Sequence, residues 1–273
     1  MKISFIGAGS IAEAIISGML QKQICANDNI FVTNRMSQSR LSELKNKYGI
    51  QTTYDLQKIS HNPDMIIMAV KPKDAVQILK KLAPYTNEHT FIVSVMAGVS
   101  MNIINNTLNK DCAVARAMPN TSASVGKSAT AISFNPFVSD KQKQLANIVF
   151  ESVGITTEVE EKQLDIVTGL AGSGPAYFYY IVEVMEKTAQ ELGIEQTTAR
   201  ELIIQTIAGA AEMLQTSGME AQELRKKVTS PGGTTEAGIQ ILKDRNVDSA
   251  FTDCIKAATD HSKKLGEMFT FQD

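Results

Sequence analysis

The sequence predicts an α/β fold: a doubly wound, mostly parallel sheet over residues 1–160, followed by an all-α helical bundle over 161–273. Three features predict it. A short apolar strand, Lys2 to Ile6, runs straight into Gly7-Ala-Gly9 and then into helical spacing. Two continuous apolar runs, 64–70 and 91–95, read as central parallel strands, because such strands are covered on both faces. After Val159 the β-type alternation stops, and helix-length segments rich in Ala, Leu, Ile, Glu, Gln and Lys begin.

Along the first half, Ile11, Ala14, Ile15, Met19 and Leu20 recur at helical spacing. Gly7-Ala8-Gly9-Ser10-Ile11-Ala12 therefore lies between a strand and a helix, where a GxGxxA turn binds a dinucleotide. Gly7 would make the bend, Gly9 would bring a pyrophosphate against the main chain, and Ala12 would keep the helix close to the strand. A merely glycine-rich turn is the plainer reading. The second strand, 29–33, ends in Asn34-Arg35, followed by Ser37, Ser39 and Arg40. An NAD-selective fold usually has an acid here for the ribose 2′-hydroxyl, and this chain has none between Asp28 and Glu43. A guanidinium and hydroxyls suit a 2′-phosphate. NADPH is the expected cofactor, with NADH also admitted; a solvated arginine at a strand end is the alternative. Val70-Lys71-Pro72 and Met96-Ala97-Gly98 fall at carboxyl ends of strands and are expected along the nicotinamide side, although Lys71 also fits an ordinary exposed lysine. A helix over 74–82, strands over 112–117 and 129–134, a helix over 140–152 and a last strand over 155–159 complete this half. The polar loop Arg116–Thr121 receives no role.

Bulk composition narrows the function classes. The chain has 273 residues, enough for one large or two medium domains, with ordinary hydrophobic (43%) and charged (21%) fractions. A net charge of −2 gives no reason to expect nucleic acid or an anionic membrane as partner. Cys25, Cys112 and Cys254 are odd in number and widely spaced, which fits reduced thiols, and the three histidines are scattered, so no metal site is expected. Met1–Ile6 lacks a cleavage-type ending, so no signal sequence is expected, and no apolar run approaches the ~20 residues that cross a bilayer. These features together predict a soluble, cytoplasmic protein.

In the second half, Gly172-Ser-Gly-Pro175 is expected to break the pattern before a helix over 176–192. Further helices are expected over 198–215, 222–228, 236–243 and 248–268. Gly209, Ala210 and Ala211 would allow close helix approach, and the apolar stripes leave faces for a second subunit. Between the third and fourth of these helices lies Val228-Thr-Ser-Pro-Gly-Gly-Thr-Thr235. Gly232 and Gly233 can take positive φ, and the free N–H groups of the next helical turn can hold a small anion such as a carboxylate. A corner capped by Ser and Thr is the competing reading.

The chain resembles pyrroline-5-carboxylate reductase along nearly its whole length. The resemblance rests on Ile6–Ala14, Ala69-Val-Lys-Pro72, Gly169–Tyr177 and Val228–Thr235, in the family's order. It implies an NADPH-binding Rossmann domain, then a helical dimerisation domain that interlocks two subunits, with decamers in some members. The implied activity is reduction of the cyclic imine 1-pyrroline-5-carboxylate to L-proline, the last step of proline synthesis. The implied roles place Gly7–Ala12 on the pyrophosphate, Asn34-Arg35 on the 2′-phosphate, and Ala69–Pro72 with Met96-Ala97 along the nicotinamide ribose. Ser230 and the amides of Gly232, Gly233 and Thr234 would hold the substrate carboxylate, and the Thr235 hydroxyl the imine nitrogen. An acid from the start of the helical domain would lie near the site; Glu161 matches, with Glu160 beside it.

The residue inventory agrees with a C=N bond. Reducing a ketone creates an alkoxide and calls for a proton donor, and the bend over 229–235 contains no His, Lys, Tyr or acid. A protonated imine is already an electrophile and needs positioning more than acid. The β-hydroxyacid dehydrogenases carry a catalytic lysine in GxxGxGxxxK; here Gly169, Gly172 and Gly174 match, but Phe178 stands at the lysine. A related cyclic imine acid as substrate, or a non-catalytic NADPH-binding regulatory dimer, are the remaining readings.

Overall fold

A computed structural model describes residues 1–267. Its contacts divide the chain into two compact units: residues 1–175 together with the segment from Lys256 onward, and Ala176–Ile255.

The first unit is built on one eight-stranded sheet. β1 (Ile3–Ile6) and β4 (Met65–Met68) are wholly buried and sit side by side, Phe5 opposite Ile67. β2 (Ile30–Thr33) pairs with the other edge of β1, and β3 (Gln51–Thr52) extends the sheet beyond it. β5 (Phe91–Ser94), β6 (Ala113–Met118), β7 (Ser128–Phe134) and β8 (Gly154–Glu158) continue it, in the order β3-β2-β1-β4-β5-β6-β7-β8. The order reverses at β1, which is the doubly wound pattern. Only the β6–β7 pairing is antiparallel.

Helices cover both faces. α1 (Ser10–Gln21) buries Ala12, Ala14, Ile15, Ile16 and Met19; of the predicted stripe Ala14, Ile15 and Met19 are buried, while Ile11 and Leu20 are half-buried. α4 (Ala75–Leu82) lies on the opposite core, with Ile66, Met68, Ile92 and Val114. α6 (Asp140–Glu151) starts at a reciprocal cap, Ser139 with Gln142. Among the elements that go unread in the sequence are α2 (Gln38–Tyr48), β3, α3 (Leu56–Ser60), α5 (Met101–Leu108) and the short helix Leu164–Val167. In α2 only Leu41 and Leu44 are buried, too few to show a period. α5 is rich in asparagine, a weak helix former, and its start is held by Ser100 and by a carboxylate from elsewhere in the chain.

The expected break at Gly172–Pro175 is instead a widened helical turn. α7 (Leu164–Val167) runs into a π turn over Thr168–Gly172, where the Ser173 N–H reaches back to the Thr168 carbonyl at 2.8 Å, and α8 (Gly174–Glu191) follows at once. Such turns concentrate at functional sites.

The second unit consists of helices: most of α8, then α9 (Gln196–Thr216), α10 (Ala221–Lys227), α11 (Thr234–Asp244) and the beginning of α12 (Val247–Glu267). Ala199 and Ile203 are its buried apolar residues. No neighbouring atom lies within 4 Å of a Cβ built on Gly209, so the small-residue face at 209–211 is not used for close approach within this chain. The final residue expected in the last helix, Met268, lies outside the described residues. No helix among them is long and apolar enough to cross a membrane.

Candidate active site

The glycine turn after β1 is fixed by its surroundings. Gly7 has φ +119°, and a Cβ there would stand 2.2 Å from the Ala69 carbonyl oxygen, so the end of β4 leaves no space for a side chain. Its N–H donates to the Thr33 carbonyl at 2.9 Å, tying the turn to the end of β2. Gly9 differs: it caps α1 with extended backbone, no side chain satisfies that end, and nothing lies within 4 Å of its missing Cβ. Ser10 beside it is exposed, and Ile11 half-buried. A twelve-residue helix thus presents its positive end, uncapped, to open space. The donor set fits an anionic ligand such as a pyrophosphate.

A buried-edge ion cluster holds this turn in place, and it escapes sequence inspection because its members are far apart. The Arg40 guanidinium, read in the sequence beside Arg35 and the serines, is committed elsewhere: its Nε donates to the Ala8 carbonyl at 2.9 Å, and its other nitrogens bind Glu13 and Glu43. Lys47 (2.8 Å) and the Tyr48 hydroxyl (3.0 Å) also donate to Glu13. Hydrogen bonds from Lys47 and then Arg40 pull the Glu13 carboxyl down to about 2.

Beside the turn lies a cavity of about 490 Å³ lined by Gly7, Thr33, Asn34, Arg35, Met36, Tyr54, Leu56, Val70, Asp74, Ile78 and Lys81, among others. Asn34 spends both ends of its amide on the Ser37 main chain, at 2.8 and 2.9 Å, so its side chain shapes the turn. Arg35 projects into solvent and approaches Asp74 at 3.4 Å. Asp74, from the segment after β4, is the carboxylate that lines this cavity.

At the ends of β4 and β5, Ala69 and Val70 are half-buried, Lys71 is exposed, and Pro72 opens a short 3₁₀ turn. The Met96 side chain is buried in the core, which leaves its main chain and Ala97 at the strand end. Glu161 accepts from the Met101 N–H at 2.8 Å and from Arg116 at 3.0 Å, both at Oε1. Arg116, given no role by sequence reading, is nearly buried, and this pair clasps β6 to the start of α5. Asn120 donates from Nδ2 to the Ala171 carbonyl at 3.0 Å, anchoring the π turn to the loop after β6.

In the helical unit, Ser230-Pro-Gly-Gly233 bends into α11. Only Gly232 takes positive φ (+73°); Gly233, expected to share that freedom, has φ −86° and extended backbone. The Ser/Thr-capped corner does not form, because Gly233 is the capping residue and no side chain caps the helix. Ser230, Thr234 and Thr235 are exposed around that end, their hydroxyls not used as caps. Glu236, unnoticed in the sequence, reaches back to the Gly232 N–H at 2.7 Å.

Residues 161–265 match the family model described as pyrroline-5-carboxylate reductase dimerisation, and residues 2–98 match that of the coenzyme F420-dependent NADP oxidoreductases. Pyrroline-5-carboxylate reductase 2 of Bacillus subtilis is 44% identical over 268 residues, covering 98% of this chain and 96% of the relative. The chain belongs to the pyrroline-5-carboxylate reductase family. A family member from Staphylococcus haemolyticus is 35% identical with 98% of both chains covered. Among solved structures, a pyrroline-5-carboxylate reductase from Coxiella burnetii superposes with a TM-score of 0.89 at 36% identity, covering 97% of this chain and 98% of that one. The Plasmodium falciparum pyrroline carboxylate reductase, solved with NADP bound, gives 0.88 at 26% identity over the same shares. The family's two-part order, a nucleotide-type sheet domain and then helices, is the order of the elements described above.

Proposed function

We infer that the protein reduces 1-pyrroline-5-carboxylate to L-proline with NAD(P)H. The observation that carries this is the 44% identity to a reductase of that name across nearly the whole of both chains. When bound, the cofactor supplies a hydride to the C=N carbon.

The residue roles are those the family resemblance implies, and the local geometry supports several of them. Gly7, Ala8, Gly9, Ser10, Ile11 and Ala12 hold the pyrophosphate on the uncapped start of α1. Arg35 takes the 2′-phosphate, and Asn34 keeps the turn that presents it. Ala69, Val70, Lys71, Pro72, Met96 and Ala97 line the nicotinamide ribose, Met96 through its main chain. Ser230 and the amides of Gly232, Gly233 and Thr234 hold the substrate carboxylate at the start of α11, where the Gly232 N–H exchanges its bond to Glu236 for one to the substrate. The Thr235 hydroxyl hydrogen-bonds the imine nitrogen and orients it. Glu161 serves the substrate side from within its bond to Arg116 and the Met101 N–H. By role, the border between the cofactor domain and the substrate and dimerisation domain falls at 160/161.

The active form is a homodimer through the helical domain, with a decamer as the higher assembly, and the reaction takes place in the cytoplasm. The match of residues 161–265 to the dimerisation model supports the first, and three free cysteines suit the last. The test is steady-state NADPH and NADH oxidation with five- and six-membered cyclic imine acids. Turnover confined to the six-membered ring, or absent with both, would overturn the reading.

A further inference from the structure

We propose that Asp74 sets the choice between the two nicotinamides, as the acceptor for a free ribose 2′-hydroxyl and as a like charge against a 2′-phosphate. The proposal rests on the reading that the cavity beside Gly7 takes the adenosine end of the cofactor. Dinucleotide folds place that ribose at the end of the second strand, and NAD-selective members meet its 2′-hydroxyl with an acid there. Here the second strand ends in Asn34-Arg35, and the carboxylate in the same cavity is that of Asp74.

Asp74 spends its carboxylate on a weak contact. It stands at the cap position of α4, where an aspartate ordinarily accepts from the first turn, yet its side chain makes no capping bond. It turns instead to Arg35, with Oδ1 3.4 Å from Nη1. The arginine is 69% exposed and the aspartate 28%, so the pair is a weak surface contact that a ligand displaces readily. Lys81 on the same wall adds a second cation. A cofactor carrying a 2′-phosphate draws Arg35 away from Asp74 and then faces that carboxylate as a like charge. A cofactor with a free hydroxyl donates to Asp74 and leaves Arg35 idle. One chain thus serves both nicotinamides, and Asp74 holds down the preference for the phosphorylated one.

The test is calorimetric binding of two fragments, adenosine 5′-diphosphate and adenosine 2′,5′-bisphosphate, to the full-length protein and to Asp74→Asn, with thermal melting to confirm folding. In Asp74→Asn the bisphosphate should bind several-fold tighter and the diphosphate weaker, moving the ratio of the two constants by about tenfold. The shift should shrink in high salt, as expected for exposed charges. Arg35→Ala should move the ratio the opposite way. Equal changes in both fragments, or no change, would overturn the role of Asp74 while leaving the cavity's assignment intact. Failure of the unaltered protein to bind either fragment would overturn that assignment, and the role of Asp74 with it.

Discussion

The α/β unit carries its own interior, whereas the helical unit holds its apolar residues outward. In the first, every residue of β1 and β4 is buried, and helices seal both faces. In the second, Phe178 is 59% and Tyr180 68% exposed, joined by Leu202, Ile204, Met213 and Ile241, while α10 and α11 bury nothing. Helices of this length with open apolar faces are not stable by themselves in water. The contrast teaches that one region encloses its apolar surface within the chain, while the other, which matches a dimerisation family model, leaves its apolar surface open.

Four variants would break or sharpen this comparison. The largest effect is expected at Gly7→Val, where positive φ and the Ala69 carbonyl both oppose a side chain. Loss of about 4 kcal/mol or more, or no folded protein, should appear in thermal melting. A near-normal melt would mean the first unit is less rigidly determined than its contacts indicate. Next, Phe178→Glu combined with Tyr180→Glu should give a monomer by sedimentation, with lost helical signal in circular dichroism. Persistence of a dimer would place the interface elsewhere. Thr235→Ala should lower kcat by about a hundredfold at unchanged NADPH affinity; full turnover would remove Thr235 from the mechanism.

The smallest expected effect is at Glu13→Gln, on the first unit's edge. The Glu13 carboxyl sits at about 2 when folded, against an ordinary 4.5, so the charged form is favoured by folding. Its contribution is present in full above about 4.5 and is lost as pH falls towards 2. The unaltered protein should therefore lose its advantage of about 1–2 kcal/mol over Glu13→Gln in that window, read by denaturant titration at several pH values. A pH-independent difference would show that Arg40, Lys47 and Tyr48 hold the neutral amide equally well.

Much of the fold was legible because periodicity reports burial. β1, β4, β5 and α1 carry the patterns that a covered strand or a one-sided helix must carry. α2 was not legible, since its stability comes from its cap and long-range bonds rather than from an apolar stripe, whereas α5 buries Met101, Ile104 and Leu108 at helical spacing among asparagines that disguise it. At the site, glycine turns announce themselves, because a backbone demand constrains residue type locally. Charge partners do not. Nothing near Arg40 points to Glu13, nothing near Glu161 to Arg116, and the acid sought beside Arg35 arrives from Asp74. Glu236 directly follows the Val228–Thr235 segment, yet only the bend reveals that it reaches Gly232.

The last turns of α12 return to the α/β unit: Ser262 donates to Asp165 at 2.7 Å across 97 residues, and a Cβ on Gly98 would stand 2.8 Å from the Gly266 nitrogen. During synthesis, therefore, the nucleotide-type unit can begin to assemble early but is sealed only after the final helix has left the ribosome. Cutting the chain at 160/161, or after Pro175, would yield an N-terminal fragment that lacks its own closing piece.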